Sequence, residues 1–219
     1  MTDSAAALGR FIVIEGLDGS GKSTQVALLK QALEKLGRRV AVTHEPTDAA
    51  VGGMIRETLA GLAPRSDAEL AALFLADRIR HNTNPVNGIQ KLLLDGTDVL
   101  CDRYYYSSLA YQSLTVDLDW LVAANCGCPA IRKPDLCIFL DVDAARCKER
   151  MDTSRHFLEI FERSGEQMER IRQNFFAAFD RIRGGENIVI LDAVKDADEL
   201  AQEIALLTAP LFASIKNPL

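Results

Sequence analysis

The chain has 219 residues, 48% hydrophobic and 26% charged, the ordinary balance of a folded protein with a sizeable core. Lys and Arg number 25 against 31 Asp and Glu, a net charge of −6, which argues against a surface for duplex nucleic acid, because neutralising phosphates needs clustered cations. No apolar run reaches the ~18 residues of a membrane helix, and Met1 to Gly9 lacks the basic start and apolar stretch of a secretory leader. Residues 1–9 read as a short tail and 10–219 as a single cytoplasmic domain. The five cysteines are odd in number. Cys126-Gly-Cys128 has no second pair or nearby His to complete a zinc site, so reduced, structural cysteines are expected.

In chain order, Phe11–Ile14, Val40–Thr43, Val99–Cys101, Leu136–Leu140 and Ile188–Leu191 read as strands. Their nearly continuous apolar character suits strands buried on both faces of a parallel sheet. Helical stripes lie between them. Val26, Leu29, Leu33 and Leu36 recur every three or four residues before Gly37, a helix stop. Leu70, Leu73, Phe74 and Asp77 mark a second helix, and Pro85 interrupts it or opens a third that ends near Gly96. Met168, Ile171, Phe175, Phe179 and Ile182 form a core-facing stripe closed by Gly184-Gly185. The last helix runs from about Ala197 to Ala213. Thr153 to Ser164 is charged and has no stripe, as a mobile segment would be. Strands alternating with helices predict an α/β fold whose parallel sheet is covered on both faces and joined by right-handed crossovers.

The sharpest motif is Gly16-Leu17-Asp18-Gly19-Ser20-Gly21-Lys22-Ser23, with Thr24 behind it. It satisfies G-x-x-x-x-G-K-[ST] and sits between a strand and an amphipathic helix, its proper context. The glycines let backbone N–H groups turn inward around phosphate oxygens, and the helix N-terminus adds partial positive charge. Lys22 can reach the terminal phosphates and Ser23 can ligand Mg²⁺, so ATP or GTP binding is expected. A guanine-reading Asn-Lys-x-Asp is absent from the sequence, which weakens a GTPase reading.

The acceptor must be read elsewhere. His44-Glu45-Pro46-Thr47 follows the second strand, and Leu73-Phe74-Leu75-Ala76-Asp77-Arg78 lies on a helix. Asp102-Arg103-Tyr104 follows the third strand, with Ser107, Ser108, Tyr111 and Gln112 behind it, and Lys133-Pro134-Asp135 introduces the fourth. In open α/β folds ligands bind at these strand ends. Over roughly Arg10 to Leu206 these features resemble the thymidylate kinases, which phosphorylate dTMP to dTDP. The most specific stretches are Asp102-Arg-Tyr-Tyr-Tyr-Ser-Ser-Leu-Ala-Tyr-Gln112, Leu118-Asp119-Trp120 and Lys133-Pro-Asp-Leu.

The resemblance implies a three-layer P-loop kinase fold, with a five-stranded parallel sheet flanked by helices and a mobile lid at about 150–164. It also implies a homodimer packed through helices, with ATP and dTMP as substrates and Mg²⁺ as cofactor. Phe74 matches the aromatic that stacks on thymine and Arg78 the donor to a thymine carbonyl. Arg103 matches the holder of the dTMP phosphate; an ion pair with Asp102 is its plain alternative. Asp102 matches a carboxylate near Mg²⁺, and Asp18 an acid near the acceptor sugar and phosphate. Glu45 and Pro46 match the loop lining the acceptor phosphate, and Ser107 and Ser108 match polar contacts near the acceptor. Tyr111 matches the aromatic that crowds the sugar 2′ position, Gln112 a polar base contact, and Arg150 the arginine over the donor adenine.

Phosphoryl transfer also calls for an arginine near the transferring group. Some family members carry it in the phosphate loop, where this chain has Gly19; others supply it from the lid. Here the lid holds Arg150, Arg155 and Arg163, and the family's frequent Asp-Arg pair before an aromatic-Glu step reads Glu159-Ile160-Phe161-Glu162. Arg155 is the expected catalytic arginine, with Arg163 and Arg150 behind it. His44, His81 and His156 have no triad-like company and read as ordinary loop and helix residues. Two alternatives stay open: a kinase of another pyrimidine monophosphate or a deoxynucleoside, and a nucleotide-binding regulatory module with little turnover.

Overall fold

The structure is a computed structural model that describes residues 8–152 and 164–213. Five parallel strands form one sheet: β1 (Phe11–Gly16), β2 (Val40–His44), β3 (Asp98–Asp102), β4 (Leu136–Asp141) and β5 (Ile188–Asp192), in the order β2-β3-β1-β4-β5. All five match the sequence expectation. Burial does not match throughout. β1 is fully buried and β3 and β4 nearly so, but the two edge strands are half-exposed, with Val42 48% and Ile190 45% accessible. An edge strand has a neighbour on one side only, and the helices cover it less completely than the centre.

The helices are α1 (Lys22–Lys35), α2 (Ala50–Leu59), α3 (Asp67–Thr83), α4 (Ile89–Leu94), α5 (Tyr105–Tyr111), α6 (Leu118–Cys126), α7 (Ala144–Asp152), α8 (Gly165–Ile182) and α9 (Ala197–Ala213). α1 packs on β1, β2, β3 and α9, while α5 packs on β1, α6 and α8. Together they cover the sheet, and Val26, Leu29 and Leu33 of α1 and Met168, Ile171, Phe175, Phe179 and Ile182 of α8 join one core. Leu36 corrects the expected stripe: it is 72% exposed. The helix ends before it, where Gly37 takes φ +77° and the Arg38 N–H returns to the Leu33 carbonyl, so Leu36 leaves the buried face. Gly9 is buried and its N–H donates to the Leu93 carbonyl at 2.9 Å, whereas residues 1–7 lie outside the described residues.

Site placement follows from the sheet. β1 lies between β3 and β4, so the chain leaves it in both directions and opens a crevice at the C-terminal strand ends. Ile14 is registered with Asp102, and Asp102 with His44, so the loops after β1, β2 and β3 emerge side by side.

Candidate active site

These loops enclose a cleft of about 810 Å³. The phosphate loop forms one wall. Gly19 (φ +81°) and Gly21 (φ +98°) occupy the left-handed region, and a Cβ built on Gly19 would lie 2.4 Å from the Cys147 carbonyl oxygen. Asp18 to Thr24 line the cleft; Gly16 and Leu17 lie behind it, where they shape the turn. The Lys22 ammonium donates to the Leu17 carbonyl at 2.8 Å and lies 3.8 Å from Asp18. Burial, and then the Arg103 charge, lower its pKa. An anion bound in the loop would supply the counter-charge to restore it. The Ser23 hydroxyl donates to Asp102 at 2.6 Å, so the two residues assigned to the cation converge.

Arg103 follows β3 at φ +67°, with its N–H bonded to the Ile14 carbonyl at 3.1 Å. That conformation swings its guanidinium across the β1 end to Asp18, at 2.6 Å. It also donates to Ser107 (2.9 Å) and Tyr111 (3.1 Å) and lies over the Tyr111 ring at 5.0 Å. The partner is therefore Asp18, and not the neighbouring Asp102 weighed from sequence. The Tyr111 hydroxyl donates in turn to Asp18 at 3.2 Å. Beneath them lies Glu15, fully buried, which accepts from the Tyr104 N–H (2.8 Å), the Ser107 N–H (3.1 Å) and the Ser107 hydroxyl (2.7 Å). Burial raises its pKa, and Arg103 and these donors oppose the rise. Glu15 ties the start of α5 to β1 and so fixes Ser107 beneath Arg103.

The far wall comes from α3 and the turn after β2. Arg78 is 1% exposed. Its Nε donates to Glu45 at 2.8 Å, its Nη2 to the Ser108 hydroxyl at 3.0 Å and its Nη1 to Asn125. The second Glu45 oxygen lies 3.0 Å from His81 Nδ1, and the Thr43 hydroxyl lies 2.7 Å from His81 Nε2. His81 is thus part of the wall's support, beyond the ordinary helix position read from sequence. Phe74 is half-buried against Ile55, Leu59 and Leu70, and it lines the cleft with Glu45, Pro46, Arg78, Ser107, Ser108, Tyr111 and Gln112. At the other end Arg150 lines the cleft, 3.4 Å from the Gly19 carbonyl and 3.5 Å from that of Ala193.

The family model described as thymidylate kinase matches residues 14–204. The chain belongs to the thymidylate kinase family. It is similar to a probable thymidylate kinase of Pyrococcus horikoshii (35% identity, covering 91% of this chain and 95% of the relative). It is also similar to one of Methanosphaera stadtmanae (38%; 89% and 94%) and to the thymidylate kinase of Pelotomaculum thermopropionicum (36%; 88% and 94%). Among solved structures it resembles thymidylate kinase from Candida albicans, with a TM-score of 0.77 at 26% identity over 94% of this chain and 93% of that one. The P-loop kinase fold follows, and the chain is a phosphotransferase.

As a thymidylate kinase, the chain carries glycine where some members place a loop arginine. The Cys147 carbonyl and the positive φ at Gly19 explain why no side chain fits there. Arg155 and Arg163 of the expected lid lie outside the described residues. Glu15 and Asn125 were not singled out in the sequence. Glu15 had one signal, a lone charge closing an apolar strand before a glycine loop. Asn125 had none, because its role depends on where α6 meets Arg78. Among the described residues no cluster of three His, Cys, Asp or Glu could hold a metal, and no helix is long and apolar enough to cross a membrane.

Proposed function

We propose that this thymidylate kinase transfers the γ-phosphoryl group of ATP to the 5′-phosphate of dTMP, giving dTDP and ADP. The observation that carries this reading is the run of contacts along the cleft: Lys22 to Asp18, Asp18 to Arg103, Arg103 to Ser107, and, at the adjoining Ser108, Ser108 to Arg78 and Arg78 to Glu45. A phosphate cradle and a cationic, aromatic base pocket thereby share one space. Lys22 and the loop N–H groups take the donor phosphates, and Arg150 covers the adenine. Arg103 takes the dTMP phosphate as a fork and Asp18 holds that fork in aim. Phe74 stacks on the thymine, Arg78 donates to its carbonyl, and Gln112 and Ser108 serve its polar edge. Tyr111 occupies the space a ribose 2′-hydroxyl would need.

A dTMP phosphate oxygen attacks the γ-phosphorus as the bond to the β–γ bridging oxygen breaks. The acceptor is already an anion, so no general base is needed, and catalysis rests on positioning and on cations that offset the developing charge. The Ser23–Asp102 pair fits Mg²⁺, a hydroxyl and one carboxylate being the usual protein share when phosphates and waters complete the shell. When bound, that ion would neutralise phosphate oxygens.

Arg155 completes the charge stabilisation from the lid. Arg155→Ala is expected to lower kcat by roughly 10³-fold, as loss of such arginines does elsewhere, and Arg163→Ala by much less. The reverse order in single-turnover kinetics would move the role to Arg163. The reading extends to a cytoplasmic homodimer of single domains spanning 10–219, with no polymeric nucleic acid as partner.

An acceptor panel of dTMP, dUMP, dCMP, the ribonucleotide of thymine and thymidine, with ATP and Mg²⁺, tests the assignment. Fast ADP release with dTMP, and a ribonucleotide disfavoured by an effect of a few kcal/mol at most, is expected. Preferred use of thymidine would overturn the phosphate role of Arg103. Nucleotide binding without acceptor-dependent turnover would replace the kinase with a regulatory module.

A further inference from the structure

Asp77 has no part in the contacts described so far. It is 1% exposed on α3, between Phe74 and Arg78, and does not line the cleft. One carboxylate oxygen accepts the Thr47 N–H at 2.7 Å and the other accepts the Thr47 hydroxyl at 2.6 Å. Thr47 ends the turn after β2. The turn begins at Glu45, whose N–H donates to the Asp102 carbonyl at 3.2 Å. Arg56 of α2 donates to the Thr47 carbonyl at 2.7 Å. The turn's carbonyls are thus held from α2, and its last N–H and hydroxyl from α3. A buried carboxylate accepting two hydrogen bonds from one residue fixes both that residue's position and its side-chain rotamer.

We propose that Asp77 is a positioning residue for the acceptor, acting through Thr47. It locks the Glu45–Thr47 turn so that Glu45 meets Arg78 and Pro46 forms the cleft wall. One helix then supplies the stacking ring, the base-reading cation and the clamp that registers the opposite wall. The inference rests on assigning the Glu45–Arg78 end of the cleft to dTMP.

The test measures KM for each substrate, kcat and Tm in the full-length chain. Asp77→Ala is expected to raise KM for dTMP roughly tenfold or more, the scale of losing hydrogen bonds to a charged group, while KM for ATP stays within about twofold. Thr47→Val, which removes the hydroxyl that donates to Asp77 and accepts the Ala49 N–H but leaves the Thr47 N–H bond to Asp77, should raise it a few fold. Asp77→Asn should recover most of the loss, because an amide oxygen still accepts the Thr47 N–H and its NH₂ can donate to the hydroxyl. The double variant Asp77→Ala/Thr47→Val should be no worse than Asp77→Ala, since both sever one link. If Asp77→Ala does not fold, Thr47→Val and Asp77→Asn decide. An unchanged dTMP KM in Thr47→Val, or equal rises for both substrates in any foldable variant, overturns the inference. Arg78→Ala is the control. If it fails to raise dTMP KM selectively, the acceptor assignment itself falls; if it does so while Asp77→Ala does not, only the role of Asp77 falls.

Discussion

Arg103→Ala is expected to lower kcat/KM for dTMP by roughly 10³-fold or more, with ATP affinity held within a few fold. The guanidinium lies in the cleft 2.6 Å from Asp18 and is braced by Ser107 and Tyr111, between the proposed donor and acceptor halves. Its backbone holds a left-handed conformation at φ +67°, a strain of about 1–3 kcal/mol for a residue with a side chain. Such a cost is tolerated where it aims a functional group. On the proposed assignment, removing the fork takes away the acceptor phosphate's ligand, and it removes a cation that Glu15 and Asp18 share. Arg103→Lys keeps the charge but loses the paired N–H geometry, so it should recover only part of the rate. Steady-state kinetics with each substrate varied, alongside ATP titration, checks this. Parallel loss of ATP and dTMP binding would show that Arg103 serves the phosphate loop as a whole.

Arg78→Ala should combine a stability defect with loss of dTMP use. The guanidinium pairs with Glu45 at 2.7 Å, and both side chains are almost wholly buried. Truncation leaves the buried Glu45 carboxylate without its guanidinium and with His81 as its remaining side-chain contact, and removing one partner of such a buried pair costs about 3–5 kcal/mol. In a domain of this size each kcal/mol moves Tm by roughly 2–4 °C, so Tm should drop by about 10 °C. Pairing Arg78→Met with Glu45→Gln removes the stranded charge. That double variant should regain most of the stability and none of the dTMP selectivity. Thermal melts with acceptor KM separate the two effects. Recovery of dTMP use in the double variant would mean that Arg78 acts only as structure.

Residues adjacent in the chain were legible where their pattern is local. Continuous apolar runs marked all five strands, and the stripe of α8 stood out because its period points at a single core. The phosphate loop was readable because eight consecutive residues carry its chemistry. α2, α5 and α6 were not read as helices. Six of the seven residues of α5 are buried, so no polar face exposes a period, and α2 carries two consecutive glycines. Burial also divided the strands in a way hydropathy did not, since Val42 and Ile190 lie at sheet edges.

The amino-acid sequence by itself determined the architecture and the phosphate-loop motif, because periodicity, turn chemistry and a contiguous motif are written in neighbouring positions; the residues assigned to the acceptor were implied by the resemblance to thymidylate kinases. Tertiary structure alone decided the partnerships: Arg103 with Asp18 rather than Asp102, Glu15 under Ser107, Arg78 between Glu45 and Asn125, and Asp77 clamping Thr47. Each joins segments distant in the chain across strand ends. Which charge meets which depends on sheet register and on the direction a side chain leaves the backbone, and both are settled only when the sheet and its helices pack.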